Sequence, residues 1–300
     1  MYLQLKDRLY GKEFISLEIT PMHGGSSAVL FEKINASGLK DKIDAFVVTD
    51  NPLAKLKSDS IITAFKLQEH FSKPAIATVT MRDRNKIALQ SSILGANELN
   101  VTAVLALTGD PAASSNQPNV KGVFEANSTL LLEIIKCFNA GIDYAGKEFG
   151  VPLKPILSFA VCNSRTNNPK TLQKKLISKL RFNPAAIITQ PVYEIENAKW
   201  LKSIFDEAKE QTNSNAELIL GFFPVTRLKT AQFLNSHVSG IHVPQSLMYQ
   251  LANAKKISED EEFKIGVKLS KEIFSALKNF HPKLHLMGAN NFKLLDKMIH

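Results

Sequence analysis

Eight short, strongly apolar segments recur along the chain, each separated from the next by a stretch of helical periodicity, and this alternation limits the folds open to it. The expected strands are Phe14 to Thr20, Asp44 to Asp50, Pro74 to Met81, Ala103 to Leu107, Pro155 to Cys162, Ala185 to Tyr193, Glu217 to Val225 and Lys283 to Met287. Between them lie helix patterns at about Ser58 to Phe71, Lys86 to Leu99, Ser128 to Ala140, from near Thr171, around Trp200, from Arg227, at Phe263 to Lys278 and at Asn291 to Ile299. Ser26 or Ser27 is placed to cap a helix after the first strand. Strands in alternation with helices pair in parallel, and eight units favour closure into a (β/α)8 TIM barrel, an α/β fold in one domain over residues 1–300. A doubly wound open sheet is the alternative, but the GxGxxG fingerprint expected after its first strand is absent. With 44% hydrophobic residues, 300 residues suffice for a full barrel core.

In a parallel barrel, chemistry collects where strands end at their carboxyl side. The fourth strand ends at Thr108-Gly109-Asp110-Pro111, which holds the Asp110 carboxylate at that rim; an Asp-Pro turn is an equally good local reading. Glu18 interrupts an otherwise apolar first strand. A carboxyl there is either exposed on an edge or buried and protonated, hence a proton donor. Gln190 sits where the sixth strand meets Pro191, offering a donor and an acceptor to a heterocycle edge, or serving only the loop backbone. Thr49 ends the second strand with a hydroxyl. Arg82-Asp83-Arg84-Asn85 reads as a salt-bridged loop in preference to an anion site. Ala112 to Ala126 is a long irregular stretch of the kind that forms lids or binding loops.

Other classes find less support. The formal charge of +9 rests on lysines spread over helix faces, without the aromatic interleaving of a nucleic-acid surface, so no nucleic-acid partner is expected and an anionic small substrate is preferred. No apolar run reaches membrane-span length, and the start MYLQLKDRLYGKEF lacks a signal-peptide core. Cys137 and Cys162 give neither a disulfide framework nor a metal cluster, and the seven histidines have no ligand spacing; no metal is expected, and a cytoplasmic setting is. His285, within the eighth strand, reads as a packing residue.

Four separated stretches resemble the methylenetetrahydrofolate reductase family in order and spacing: SLEITP around Glu18, VTMRDRNKIALQ followed by LALTGDP, IITQPVYE around Gln190, and GFFPV followed by GIHVP. The resemblance runs from about Phe14 to the end. It implies a flavin barrel that binds FAD, with FMN as the alternative, takes electrons from NADH, NADPH or another donor, and passes hydride to methylenetetrahydrofolate. By the same resemblance Glu18, Asp110 and Gln190 are catalytic: the acid that opens the folate's five-membered ring, the carboxylate beside flavin and pterin, and the pterin-recognition residue. Thr49, Thr78, Thr108, Gly109, Ala126, Asn163 and Lys179 fall at cofactor-binding positions, with Lys179 toward the phosphates. Gln190, Thr230 and Leu234 fall at folate-binding positions. The family further implies a homo-oligomer, with a partner subunit in some relatives. The chain departs from the common pattern at Thr78 (often histidine), Thr108 (often arginine), Phe182-Asn183-Pro184 (usually Ala-Gly-Ala), Leu234 (a place for an aromatic ring) and Pro21-Met22 (commonly Pro-Pro). Another barrel flavin oxidoreductase, such as a proline dehydrogenase-like enzyme, and a non-catalytic folate-binding or partner-docking relative are the alternative functions.

Overall fold

The computed structural model describes residues 1–238 and 240–299. Eight parallel strands form a closed barrel in chain order: β1 (Phe14–Ile19), β2 (Ala45–Val48), β3 (Ala75–Thr80), β4 (Ala103–Leu107), β5 (Leu157–Cys162), β6 (Ala186–Pro191), β7 (Glu217–Phe222) and β8 (Lys283–Leu286). β8 returns to pair with β1, Ser16 opposite His285 and Leu17 opposite Leu286. All eight expected strands are present, each within the predicted span.

The helices are α1 (Tyr2–Leu9), α2 (Ala28–Ser37), α3 (Ser60–Phe71), α4 (Lys86–Glu98), α5 (Thr129–Asn139), α6 (Pro169–Leu180), α7 (Ile195–Thr212), α8 (Leu228–His237), α9 (Gln245–Ile257), α10 (Glu259–Phe280) and α11 (Phe292–Asp296). Sequence periodicity locates most of them but misses α1 and α9. It also starts α10 four residues late, because four acidic residues in its first turn interrupt the apolar pattern; they follow a Ser258 cap whose hydroxyl accepts from the Glu261 amide at 3.0 Å. α11 is shorter than the expected Asn291 to Ile299. Among the described residues, no helix is long and apolar enough to cross a membrane.

Alternation of side chains along each strand divides the core in two. Ile15, Leu17, Ile19, Phe46, Val48, Ala77, Val79, Val104 and Ala106 point outward into the layer shared with the helices. Phe14, Ala45, Val47, Ile76, Ala103, Leu105, Leu157, Phe159, Ile188 and Ile219 fill the barrel interior together with Leu5 and Leu9 of α1. α1 therefore closes the amino-terminal end of the barrel. Lys283, only 8% exposed, ties it down: its Nζ donates to the Leu9 carbonyl at 2.7 Å and to Glu217 Oε2 at 2.9 Å.

In the middle of the interior, Ser16 Oγ and His285 Nδ1 share a hydrogen bond of 2.9 Å, and burial lowers the His285 pKa to about 4, so the imidazole is neutral near pH 7. This agrees with the packing role expected for His285. Closer to the carboxyl end, Gly221 leaves room that no other residue would. A Cβ there would lie 2.3 Å from the Thr189 carbonyl oxygen and 2.7 Å from Met287 Cε. Gly221→Ala should cost about 3 kcal/mol of unfolding free energy by urea denaturation, since the obstructing atom is backbone and cannot swing away.

Candidate functional site

The strand parity that places Phe14 and Ser16 inside the barrel places Glu18 inside as well, at its carboxyl end. Thr80, Leu107, Val161, Gln190 and Met287 share that inward parity on their own strands. Together they floor a cavity of about 680 Å³, of a size that holds a small organic ligand. Its walls come from the loops that follow the strands: Thr49, Pro52 and Leu53 after β2; Thr108, Gly109 and Asp110 after β4; Asn163 after β5; Phe223 after β7; Ala289 after β8. α8 contributes Thr230, Phe233 and Leu234, and Val238 and Ile241 follow it. The side chains Glu18, Asp110 and Gln190, far apart in sequence, meet at this one mouth.

Glu18 is the most perturbed acid in the cavity. Burial alone raises its pKa from 4.5 to about 7, so a large share of it carries a proton near neutral pH. Asp110 is held differently: its Oδ2 accepts the Leu53 amide hydrogen bond at 2.6 Å. Gly109, just before it, has φ 95°, and a Cβ there would lie 3.0 Å from the Arg82 Cβ and 3.1 Å from the Thr80 Cβ. Glycine is thus required both by backbone conformation and by space. The Thr108 hydroxyl accepts from the Ser128 amide at 3.2 Å, joining the β4 loop to the start of α5.

Lys179 reaches the cavity from α6, and its Nζ donates to the Val161 carbonyl at 2.6 Å; burial lowers its pKa. Lys175, one helical turn earlier, lines the same cavity, as do Lys55 and Lys57. The cavity thus has cationic flanks about a largely apolar middle. Cys162 lies among these residues with its thiol pKa raised to about 12 by burial, so it is a thiol and not a thiolate. No group of three or more His, Cys, Asp and Glu side chains is arranged to hold a metal among the described residues.

Thr49, Thr108, Gly109, Asn163, Lys179, Thr230 and Leu234 all line the cavity, but two other expected cofactor positions do not. Thr78 is 1% exposed inside the barrel, one inward-facing position below the floor; Thr80, two residues on, takes the lining place. Ala126 is exposed, and Ser128 lines the cavity instead. Sequence reading also missed Lys175 and Met287. Period-two parity from Thr78 would have found Thr80, and an i−4 step from Lys179 would have found Lys175.

The RDRN segment forms ion pairs, as its composition suggested. Arg82 Nη2 lies 2.6 Å from Asp83 Oδ2, and Arg84 Nη1 lies 2.6 Å from Asp50 Oδ2.

The Glu18 shift has a consequence for stability. A carboxyl whose pKa is raised by folding contributes stability that is intact below its unfolded pKa and lost as pH rises through about 7. Glu18→Gln should therefore match the wild type at pH 4 and exceed it at pH 8 by on the order of 3 kcal/mol in urea denaturation. An equal difference at both pH values would contradict the shift.

Comparison with known proteins agrees with this architecture. Among curated proteins, none matches the sequence significantly. Solved structures match over nearly the whole chain at low identity, and so speak to the fold alone. An uncharacterized protein from Clostridium thermocellum that binds two copies of 5-methyl-5,6,7,8-tetrahydrofolic acid superposes with a TM-score of 0.66 at 17% identity, covering 99% of this chain and 95% of that one. EDTA monooxygenase from Chelativorans sp. BNC1 gives 0.56 at 11% identity, covering 96% and 92%. DmoA from Hyphomicrobium sulfonivorans gives 0.59 at 9%, covering 96% and 86%. The sequence profile described as methylenetetrahydrofolate reductase matches residues 4–300, and with all but three residues of the chain inside that match, the chain belongs to the methylenetetrahydrofolate reductase family.

Proposed function

We propose that this chain is a flavin-dependent 5,10-methylenetetrahydrofolate reductase that binds FAD and draws on NADH or NADPH as reductant. The observation that carries the reading is the meeting of Glu18 on β1, Gln190 on β6 and Asp110 on the loop after β4 around one cavity, with a large share of Glu18 protonated near neutral pH. The folate-binding relative from Clostridium thermocellum, which has the same fold, supports a folate as ligand.

The lining suits a flavin: an apolar floor and wall (Leu107, Val161, Phe223, Met287) for a planar ring, backbone and hydroxyl groups at Thr49, Thr108 and Gly109 for its edge, and Lys175 and Lys179 for phosphate. When bound, a flavin supplies hydride transfer, chemistry that no side chain of the chain offers. The protein's part is acid–base and electrostatic. Glu18 donates its proton to the folate's bridging nitrogen, opening the five-membered ring to a cation that accepts hydride; its raised pKa puts it in the useful range for a general acid. Asp110, with one oxygen committed to Leu53, presents the other to the cationic folate and stabilises charge as it develops. Gln190 fixes the pterin edge by donating and accepting one hydrogen bond each. Thr230 and Leu234 on α8, beside Phe233, flank the space left for the rest of the folate.

The purified protein should absorb as an oxidised flavoprotein, and 5-methyltetrahydrofolate should bleach it under anaerobic conditions. A flavin-loaded protein inert to both methyl- and methylenetetrahydrofolate overturns the proposal. Glu18→Gln should lower folate turnover by at least a hundredfold while leaving flavin reduction by its donor within about twofold, measured as separate half-reactions in stopped flow. Equal loss of both half-reactions with flavin still bound would remove Glu18 from the proton-donor role.

A further inference from the structure

The segment that contacts Asp110 is strained. Asn51, Leu53 and Ala54 have φ of 44°, 55° and 55°, so three of four consecutive residues lie in the left-handed region and none is glycine. Such a backbone persists only where its surroundings over-determine it, and three hydrogen bonds do so here. The Leu53 amide donates to Asp110 Oδ2 at 2.6 Å, Arg82 Nη1 donates to the Asn51 carbonyl at 3.2 Å, and the Lys57 amide donates to Asn51 Oδ1 at 2.7 Å.

The base of the segment is fixed more firmly still. Asp50 Oδ2 accepts from the Thr80 amide and the Thr80 hydroxyl, both at 3.0 Å, and from Arg84 Nη1 at 2.6 Å. The side chains of this pair are 2% and 14% exposed, which protects the contact from screening by solvent. Arg84 Nη2 also lies 3.7 Å from Asp59 Oδ2, whose Oδ1 caps α3 through the Ile61 and Ile62 amides at 2.8 and 3.0 Å. A continuous set of contacts thus runs from the first turn of α3 through Arg84 and Asp50 to Thr80 on the cavity floor, and through 51–54 to Asp110 on its wall.

We infer that Arg84 and Asp50 are positioning residues for Asp110: their ion pair holds the 51–54 backbone so that the Leu53 amide grips one carboxylate oxygen and leaves the other to the ligand. The assignment of Asp110 to the reaction rests on the function proposed above; the clamp itself does not. Neither Arg84 nor Asp59 lines the cavity, so Arg84 acts on the ligand through Asp50 and the loop. Among the described residues, the Leu53 amide is the hydrogen-bond donor that fixes the Asp110 carboxylate. Without Arg84, Asp50 would keep two donors from Thr80 but lose its ion-paired guanidinium, and the strained turn would relax toward ordinary φ values.

The test reads the Leu53 amide directly. An amide bonded to a carboxylate exchanges slowly, so in 1H–15N spectra of the whole chain Leu53 should be protected, and Asp110→Ala should remove that protection. In Arg84→Met the Leu53 hydrogen-exchange protection should fall at least tenfold, while amides of β5 and β6 keep theirs. Arg84→Lys, which retains the charge without the planar fork, should recover part of it. If the methionine variant does not fold, Arg84→Lys decides alone: weakened protection of Leu53 supports the clamp, and wild-type behaviour overturns it. Unchanged Leu53 protection in Arg84→Met likewise overturns it. If the wild type bleaches with 5-methyltetrahydrofolate, Arg84→Met should lower kcat at least tenfold with flavin affinity within about threefold. If the wild type is inert to folates yet Leu53 protection falls as described in Arg84→Met, the functional reading fails and the clamp stands.

Discussion

The pairing of β8 with β1 is the constraint from which the rest of the structure follows. Once the sheet is closed, every inward side chain has a fixed depth, and every strand delivers its carboxyl end to the same rim. Glu18, Thr80, Leu107, Val161, Gln190 and Met287 share a floor because each occupies the last inward position of its strand or, for Met287, the next inward position just past it. An open sheet would spread them along an edge. Closure also explains why one acid is so costly to ionise: Glu18 is ringed by neighbouring strands and receives no compensating cation, so its protonation state is set by burial alone.

Two of the carboxyl groups that line the cavity are thereby given different surroundings. Glu18 faces inward near the carboxyl end of β1, whereas Asp110 sits on a loop and receives a backbone donor from a neighbouring loop. In the proposed reaction these surroundings leave Glu18 to give a proton and Asp110 to offer its free oxygen to the ligand. The inner layers supply rigidity beneath them: the neutral His285 bonded to Ser16 fills the level below Glu18 without bringing a second charge close to it.

Most of this was legible in the residues. Strand positions followed from short apolar runs bounded by Gly, Pro and Asp, and the acid at position 18 stood out because it interrupts such a run. The parts that were not legible depend on distance in space. α1 was missed because eight residues with two buried leucines carry too little periodicity, and its role is set by a lysine 274 positions away. α9 was missed because an irregular stretch conceals its start at Gln245. Thr78 was misplaced by one layer, since homology of motif gives a strand's end only to within two residues while the pleat decides which hydroxyl meets the cavity. Nor does any local signal announce the positive φ of Leu53, which depends on a carboxylate 57 residues further on.

The stopper that α1 makes at the far end has a bearing on traffic. With Leu5 and Leu9 seated among the interior side chains and Lys283 fastening them, the described residues plug that end, and the cavity lies at the opposite rim. Whatever approaches the cavity's floor must leave the way it came. In the proposed reaction, where two substrates would need the same face of one ring, the first would have to depart before the second is admitted. The order of exchange would then be dictated by architecture, with no moving gate required.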